Sequence, residues 1–248
     1  EPQGQMKRFY KQASVTAEPG GHAIHLDGRP VRTPARAPLL LPNAPLAEAI
    51  AAEWNAQGEE ISPATMPMTG FANAAIDQIA VNAANFATGI AAYGESDLLC
   101  YRADSPALLV QRQNEQWNPL LDWAERTFGV EFALASGVMH VPQPTATLDR
   151  LRGAVLAHDP FMLAGLSTLV TLTGSLVCGL ALAQGDQDSD AVWQASELDE
   201  LWQVEQWGED AQAADRRSAR RREFDAAVTF CKLASPDGPV SGRPTHQT

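Results

Sequence analysis

Residues 201–213, LWQVEQWGEDAQA, place Trp202, Trp207, Gly208, Glu209 and Asp210 within ten positions of one another. Two adjacent acids beside a tryptophan suit four kinds of chemistry. They can serve as an acid–base pair, hold a cation, cap a helix, or present charge on a docking surface. A second cluster, DRRSARRREF over 215–224, contains Arg216, Arg217, Arg220, Arg221 and Arg222. Such a run suits a nucleic-acid backbone. The formal net charge of −12 opposes that use, and no aromatic residue is interleaved among the arginines. Pairing with the chain's own acids, or a solvated helix face, is the expected role.

No signature of catalysis stands out. The chain has no GxxxxGK[ST], no GxGxxG after a strand, no HExxH and no GxSxG. His22, His25 and Asp27 invite a metal reading. On a strand, however, residues 22 and 25 point to opposite faces, so a surface hairpin is expected instead. His140 and His158 lack partners at ligand spacing. Cys100, Cys178 and Cys231 are odd in number and widely spaced, with no CxxC. They fit neither a disulfide framework nor a zinc site, and point to a reducing compartment. The expectation is no catalytic residue, no metal and no cofactor.

The elements that position these residues follow from patterning. Hydrophobic residues make up 45% of the 248, enough for a core. EPQGQ before Met6 carries no targeting pattern, and MKRFYKQ reads as the natural start. Residues 6–42 read as extended, with a hairpin at Asp27-Gly28, a pair that favours positive φ. Pro30, Pro34 and Pro38 confine these strands to edges. Helical spacing begins at 44–58 and continues over 67–94, with 97–103 as a further strand. Ser105-Pro106 is expected to open a helix that Asn118-Pro119 kinks or restarts. Residues 130–144 read as a strand pair or extended loop, with Gly137 at the turn. Helices are expected over 145–158, 161–184, 189–207 and 211–234.

The uncharged segment 161–183 has the length of a membrane span, but five hydroxyls interrupt it and no Lys or Arg flanks it. It is expected to be one central helix buried on every side, with no membrane insertion. On a continuous helix over 189–207, Ala191, Ala195, Leu198 and Trp202 form a core stripe. Trp193, Ser196, Glu200, Val204 and Trp207 form a second stripe on the opposite face. Two tryptophans and a valine there mean either that the helix is buried on both sides or that this stripe meets a partner. Gly208 then ends the helix and Asp210 caps the next one. Glu209 is not a preferred cap and is left for the surface.

The expected class is α+β: an N-terminal α/β domain with antiparallel strands over 6–90, a mainly helical domain over 91–234, and a disordered tail over 235–248. RFYKQASV, LDGRPVRTPARAPLLLP, EWNAQGEEISPATMPMTGFANAAID, SDLLCYRADSPALLVQRQNEQWNPLLDW, TGS and DELWQVEQWGEDAQA occur in order. Together they resemble the assembly-chaperone family of the F-type ATP synthase alpha subunit, found in mitochondria and alphaproteobacteria. Asn55 and Asn118 stand where that family suggests aspartate, and Ala74 where it suggests threonine. The resemblance implies a non-enzymatic chaperone in the bacterial cytoplasm or the mitochondrial matrix. It would hold the free alpha subunit and prevent aggregation until beta replaces it. It also implies a functional acid after WG, carried onto Glu209 with Asp210 as neighbour. The partner-binding set is therefore Glu209, Asp210, Trp207, Trp193, Val204 and Glu200. Two rivals are a small-molecule enzyme with an interdomain pocket and a nucleic-acid-associated protein using the 216–222 arginines.

Overall fold

The computed structural model describes residues 6–137 and 140–235. All but the first residue of the expected tail, 235–248, lies outside the described residues. The strands are β1 (Met6–Lys7), β2 (Ala13–Glu18), β3 (Gly21–Leu26), β4 (Arg29–Pro30), β5 (Leu40–Leu41), β6 (Glu60–Ile61), β7 (Tyr101–Arg102) and β8 (Ala135–Ser136). The helices are α1 (Ala44–Asn55), α2 (Pro67–Ala74), α3 (Ala83–Ala91), α4 (Ala107–Phe128), α5 (Thr145–Leu156), α6 (Pro160–Thr173), α7 (Leu176–Ala183), α8 (Ser189–Ser196), α9 (Leu198–Trp207) and α10 (Ala211–Ala234). The class is α+β, as expected: small sheets in front, helices behind.

β3 is the hub of the main sheet, pairing antiparallel with β2, β4 and β5. Its hairpin to β4 turns at Asp27 and Gly28, with φ of 47° and 83°. The Asp27 carboxylate is committed there, accepting from the Lys11 and Gln12 amides at 3.0 Å each. Those bonds hold it below its usual carboxylate range. Asn55 of α1 clasps β2, accepting from Ala13 N at 2.8 Å and donating to Ala13 O at 2.9 Å. A carboxylate could make only the first bond, so asparagine fits this position.

Side-chain caps account for half of the helix starts. Asn43 caps α1 and Asp159 caps α6, with Pro160 in its first turn. α2 has no cap of its own. Glu53 supplies one from α1, accepting from Met68 N at 2.7 Å and Thr69 N at 2.8 Å. Between α2 and α3 the chain passes through a π turn (Ala75–Ile79) and a 3₁₀ turn (Ala80–Asn82). α3 runs across residue 90, the expected domain boundary, and one hydrophobic core continues from Tyr10 to Ala234.

Four local expectations are corrected. Residues 97–103 form a 3₁₀ turn (Leu98–Cys100) before the two-residue β7. Ser105 does not cap α4; its hydroxyl donates to Asp104, and Pro106 holds the cap position. α4 continues through Pro119, because buried Trp117, Leu120 and Leu121 fix both halves against the core. The segment 161–183 is two helices rather than one. Gly174 takes φ 65° at the break, and Ser175 caps α7 by accepting from Cys178 N at 3.0 Å. Fully buried Asp97 secures this joint, accepting from Val177 N at 3.0 Å and Leu99 N at 3.1 Å. Burial pushes its carboxyl up while those donors pull it back. Among the described residues no helix is long and apolar enough to cross a membrane.

α6 sits at the centre, covered by α10, α7, α2, α3 and the π turn. It approaches α10 closely at Gly165, where a Cβ would lie 2.4 Å from Cys231 Sγ. Gly165→Leu should therefore force α10 outward and cost at least about 1–3 kcal/mol; urea unfolding at constant slope checks this. Cys100, Cys178 and Cys231 are buried and free, and burial pushes each thiol up to about 12. A thiol reagent at pH 7 should label none of them in the folded protein and all three after denaturation. Labelling of the folded chain would contradict the packing.

Candidate functional site

The expected single helix over 189–207 breaks at Glu197. α8 starts from a proper cap, with Asp188 accepting from Ala191 N at 2.9 Å. At Glu197 the backbone turns to φ −93°, ψ 3°, and the side chain goes inward, leaving the residue 2% exposed. Its carboxylate meets Arg220 of α10 at 2.7 Å. Arg220 also donates to Leu172 O of α6 at 3.0 Å and pairs with Glu200 at 3.2 Å. One guanidinium thus joins α6, the α8–α9 break and α10. Burial raises the Glu197 carboxyl, and Arg220 opposes that shift.

The break invalidates an angular projection carried from Trp193 to Trp207. Trp193 is buried, its ring 5.0 Å from Phe224, with Arg220 and Arg221 each 5.7 Å over its face. It belongs to the core and not to the expected surface stripe. The first stripe is met at Ala195, Leu198 and Trp202, all buried, while Ala191 is exposed. Arg112 lies 5.0 Å over Trp202 and pairs with Glu205 at 2.7 Å.

On the surface the remaining residues do come together. Trp207 ends α9 and is 83% exposed. Val204, one turn earlier, is half-buried, and Glu200 is exposed. Gly208 follows at φ 81°. Glu209 has an exposed backbone, but its carboxylate folds back onto Arg217 at 2.5 Å, leaving the side chain 17% exposed. Arg217 carries a second nitrogen, Nη1, that is buried and without a partner. Asp210 caps α10, accepting from Ala213 N at 2.8 Å.

The arginine run is largely spent on the chain's own acids: Arg217 on Glu209, Arg220 on Glu197 and Glu200, Arg221 on Asp190 and Asp225. Only Arg216 and Arg222 of the five lack an ion pair among the described residues, and both are exposed. Sequence reasoning missed Glu197 and Arg217 as site organisers. Arginines at 217, 220 and 221 share one helix face, which was the available signal. Nothing in the sequence marked Glu197 as the acid that turns inward. Among the described residues no cluster of three His, Cys, Asp or Glu could hold a metal. An open cavity of about 570 Å³ is lined entirely by residues between 6 and 73, not by both expected domains.

Comparison with known proteins gives a consistent set of similarities. A family described as ATP12 chaperone protein matches residues 7–125. The mitochondrial protein atp12 of Schizosaccharomyces pombe is 24% identical, over 92% of this chain and 83% of that protein. Its Saccharomyces cerevisiae counterpart is 26% identical, over 91% and 84%. The crystal structure of Atp12 from Paracoccus denitrificans is 41% identical, with TM-score 0.90, over 93% of this chain and 99% of that one. A crystal structure of an Agrobacterium tumefaciens protein is 42% identical, with TM-score 0.88, over 92% and 86%.

Arg220→Met should cost about 3 kcal/mol at pH 7, because it leaves Glu197 buried without its counter-charge. The sign with pH follows from linkage. With Glu197 raised in the folded state, the folded variant binds more protons than the unfolded one. Its deficit relative to the parent should therefore shrink on acidification toward the unfolded glutamate value of about 4.3. Denaturant melts of both proteins between pH 5 and 8 measure this.

Proposed function

The chain belongs to the ATP12 chaperone family, and we propose that it acts in assembly of the F1 sector of ATP synthase, holding the free alpha subunit until beta replaces it. The observation that carries this reading is Trp207, 83% exposed beside the Glu209–Arg217 pair. A large aromatic left in water at a helix end supplies desolvation energy to a partner. The pair beside it supplies orientation and on-rate. The pair is itself largely covered, with side chains 19% and 17% exposed, so a client charge meets it at its open edge instead of displacing either partner.

In this reading Trp207, Glu209, Val204 and Glu200 touch the client, and Asp210 holds the turn that presents them. Trp193 contributes only by supporting α10 from inside. The action is binding and release, without turnover or cofactor, and in a bacterium it takes place in the cytoplasm. Such a chaperone covers an apolar interface that beta later occupies, so it must let go when beta arrives. A strong aromatic contact beside charges that orient the client suits that duty.

The test separates folding from binding. Trp207→Ala should change stability by less than about 0.5 kcal/mol and weaken alpha-subunit binding by about tenfold or more. Glu209→Ala should cost about 1–3 kcal/mol of stability, because it strands the largely covered Arg217 guanidinium, and also reduce suppression of alpha-subunit aggregation. Asp210→Ala should instead cost about 0.5–2 kcal/mol as a lost cap. Thermal melts and light scattering of purified alpha subunit read both effects. Full suppression by both Trp207→Ala and Glu209→Ala would remove this turn from the client surface.

A further inference from the structure

The cavity of about 570 Å³ shares no residue with the α9–α10 turn. Met6, Trp54, Ile61 and Met66 give it apolar walls, and Thr69 and Asn73 of α2 add polar groups. Both threonine atoms able to bond Glu53 already do so, through Thr69 N and Oγ1. Two other polar atoms on these walls are unused. Trp54 Nε1–H, a donor, and Asn73 Oδ1, an acceptor, are buried without partners. Both residues line the cavity and are only half-buried overall. An unpaired donor and an unpaired acceptor, each costly in apolar surroundings, together match the two faces of an amide.

Gly70 is the third observation. It lies inside α2 and lines the cavity, yet a Cβ added to it would meet nothing within 4 Å. Glycine in a helix interior is less favourable than any ordinary residue except proline. Close packing explains Gly165 but not Gly70. Gly70 adds no side chain to this wall of the cavity, as Gly89 and Gly153 add none to the open faces of α3 and α5. The rim balances one cation, Arg32, against one anion, Glu60. A phosphate or nucleic acid would need an excess of cations, whereas a neutral main chain does not.

We propose that this cavity binds an extended polypeptide segment. One bulky apolar side chain enters between Met6, Ile61 and Met66, and the adjoining peptide amide pairs with Trp54 Nε1–H and the Asn73 carboxamide. The occupant rests on the chaperone reading above: a client not yet assembled offers such segments. The cavity is thus a second contact, independent of Trp207 and Glu209, that grips main chain rather than a folded surface.

The experiment is a ¹H–¹⁵N titration of the full chain, following the Trp54 indole N–H, assigned with Trp54→Phe. The probes are N-acetyl-alanyl-leucyl-alanine amide, the same tripeptide with aspartate at its centre, and p-cresol, which fills apolar space without an amide. The leucine peptide should shift the Trp54 signal saturably and leave the Trp207 signal in place. The aspartate peptide and p-cresol should each bind at least tenfold more weakly. Gly70→Leu should fill the cavity, abolish the titration, and melt at or above the parent temperature. Equal binding of the two peptides, tighter binding of p-cresol, or an unchanged titration in Gly70→Leu would each overturn the proposal. The titration needs no alpha subunit, so its failure is distinct from the failure of the Trp207 and Glu209 tests. Loss of the titration in a stable Gly70→Leu supports the site whatever those tests give.

Discussion

A helix that is apolar over most of its surface has to be covered there, and α6, open only along its Ser167, Thr168 and Thr171 face, imposes that constraint on the rest of the molecule. Its residues Leu163, Leu166, Leu169 and Val170 are essentially sealed from water. Covering them takes elements from both ends of the chain: α2, the π turn and α3 from the front, and α7 and α10 from the back. α10 can come close only because Gly165 has no side chain. Once α10 is laid along α6, Arg220 is carried to Leu172 O and to Glu197, and the α8–α9 break is fixed. The position of Trp207 is the last term of this series. Core packing sets α10, Arg220 sets the break, and the break sets which tryptophan faces in and which faces out.

Local chemistry was legible where a few neighbouring residues decide the outcome. Asp27-Gly28 turns a hairpin because both residues take positive φ, and Asp159-Pro160 starts α6. Asp210 caps α10 because its carboxylate reaches an amide three residues on. The break inside 161–183 also had a local signal, Gly174 followed by Ser175. Continuous hydrophobicity masked it, since a buried helix pair and one buried helix have the same composition. Glu197 had no such signal. Its inward turn depends on an arginine 23 residues later that approaches only in three dimensions. Periodicity carried through that residue put Trp193 on the surface, although it is in the core. The site is therefore half legible. Trp207, Glu209 and Asp210 follow from their own neighbourhood, whereas Arg217 and Arg220 emerge only from packing.

Acidic charge serves two purposes in the helical half. Glu197 is buried and structural, and loses much if stripped of its partner. Glu205 sits in an accessible pair with Arg112, and Glu209 in a more covered pair with Arg217. The same pairing of acid and arginine is thus a rivet at the α8–α9 break and a looser tie at Glu205.

The order of synthesis gives the cover over α6 a further meaning. α6 leaves the ribosome well before α10, so a largely apolar helix is translated before the helix that shields it. The bond from Asn43 Nδ2 to Leu233 O, 2.8 Å long, ties the first helix to the end of that late one. The core thus closes between segments far apart in the chain, and a nascent chain cannot complete it domain by domain. Any ribosome that stalls before α10 holds a polypeptide with one side of α6 uncovered. A protein whose family shields other chains during assembly carries, in its own biogenesis, a stage at which it needs shielding too.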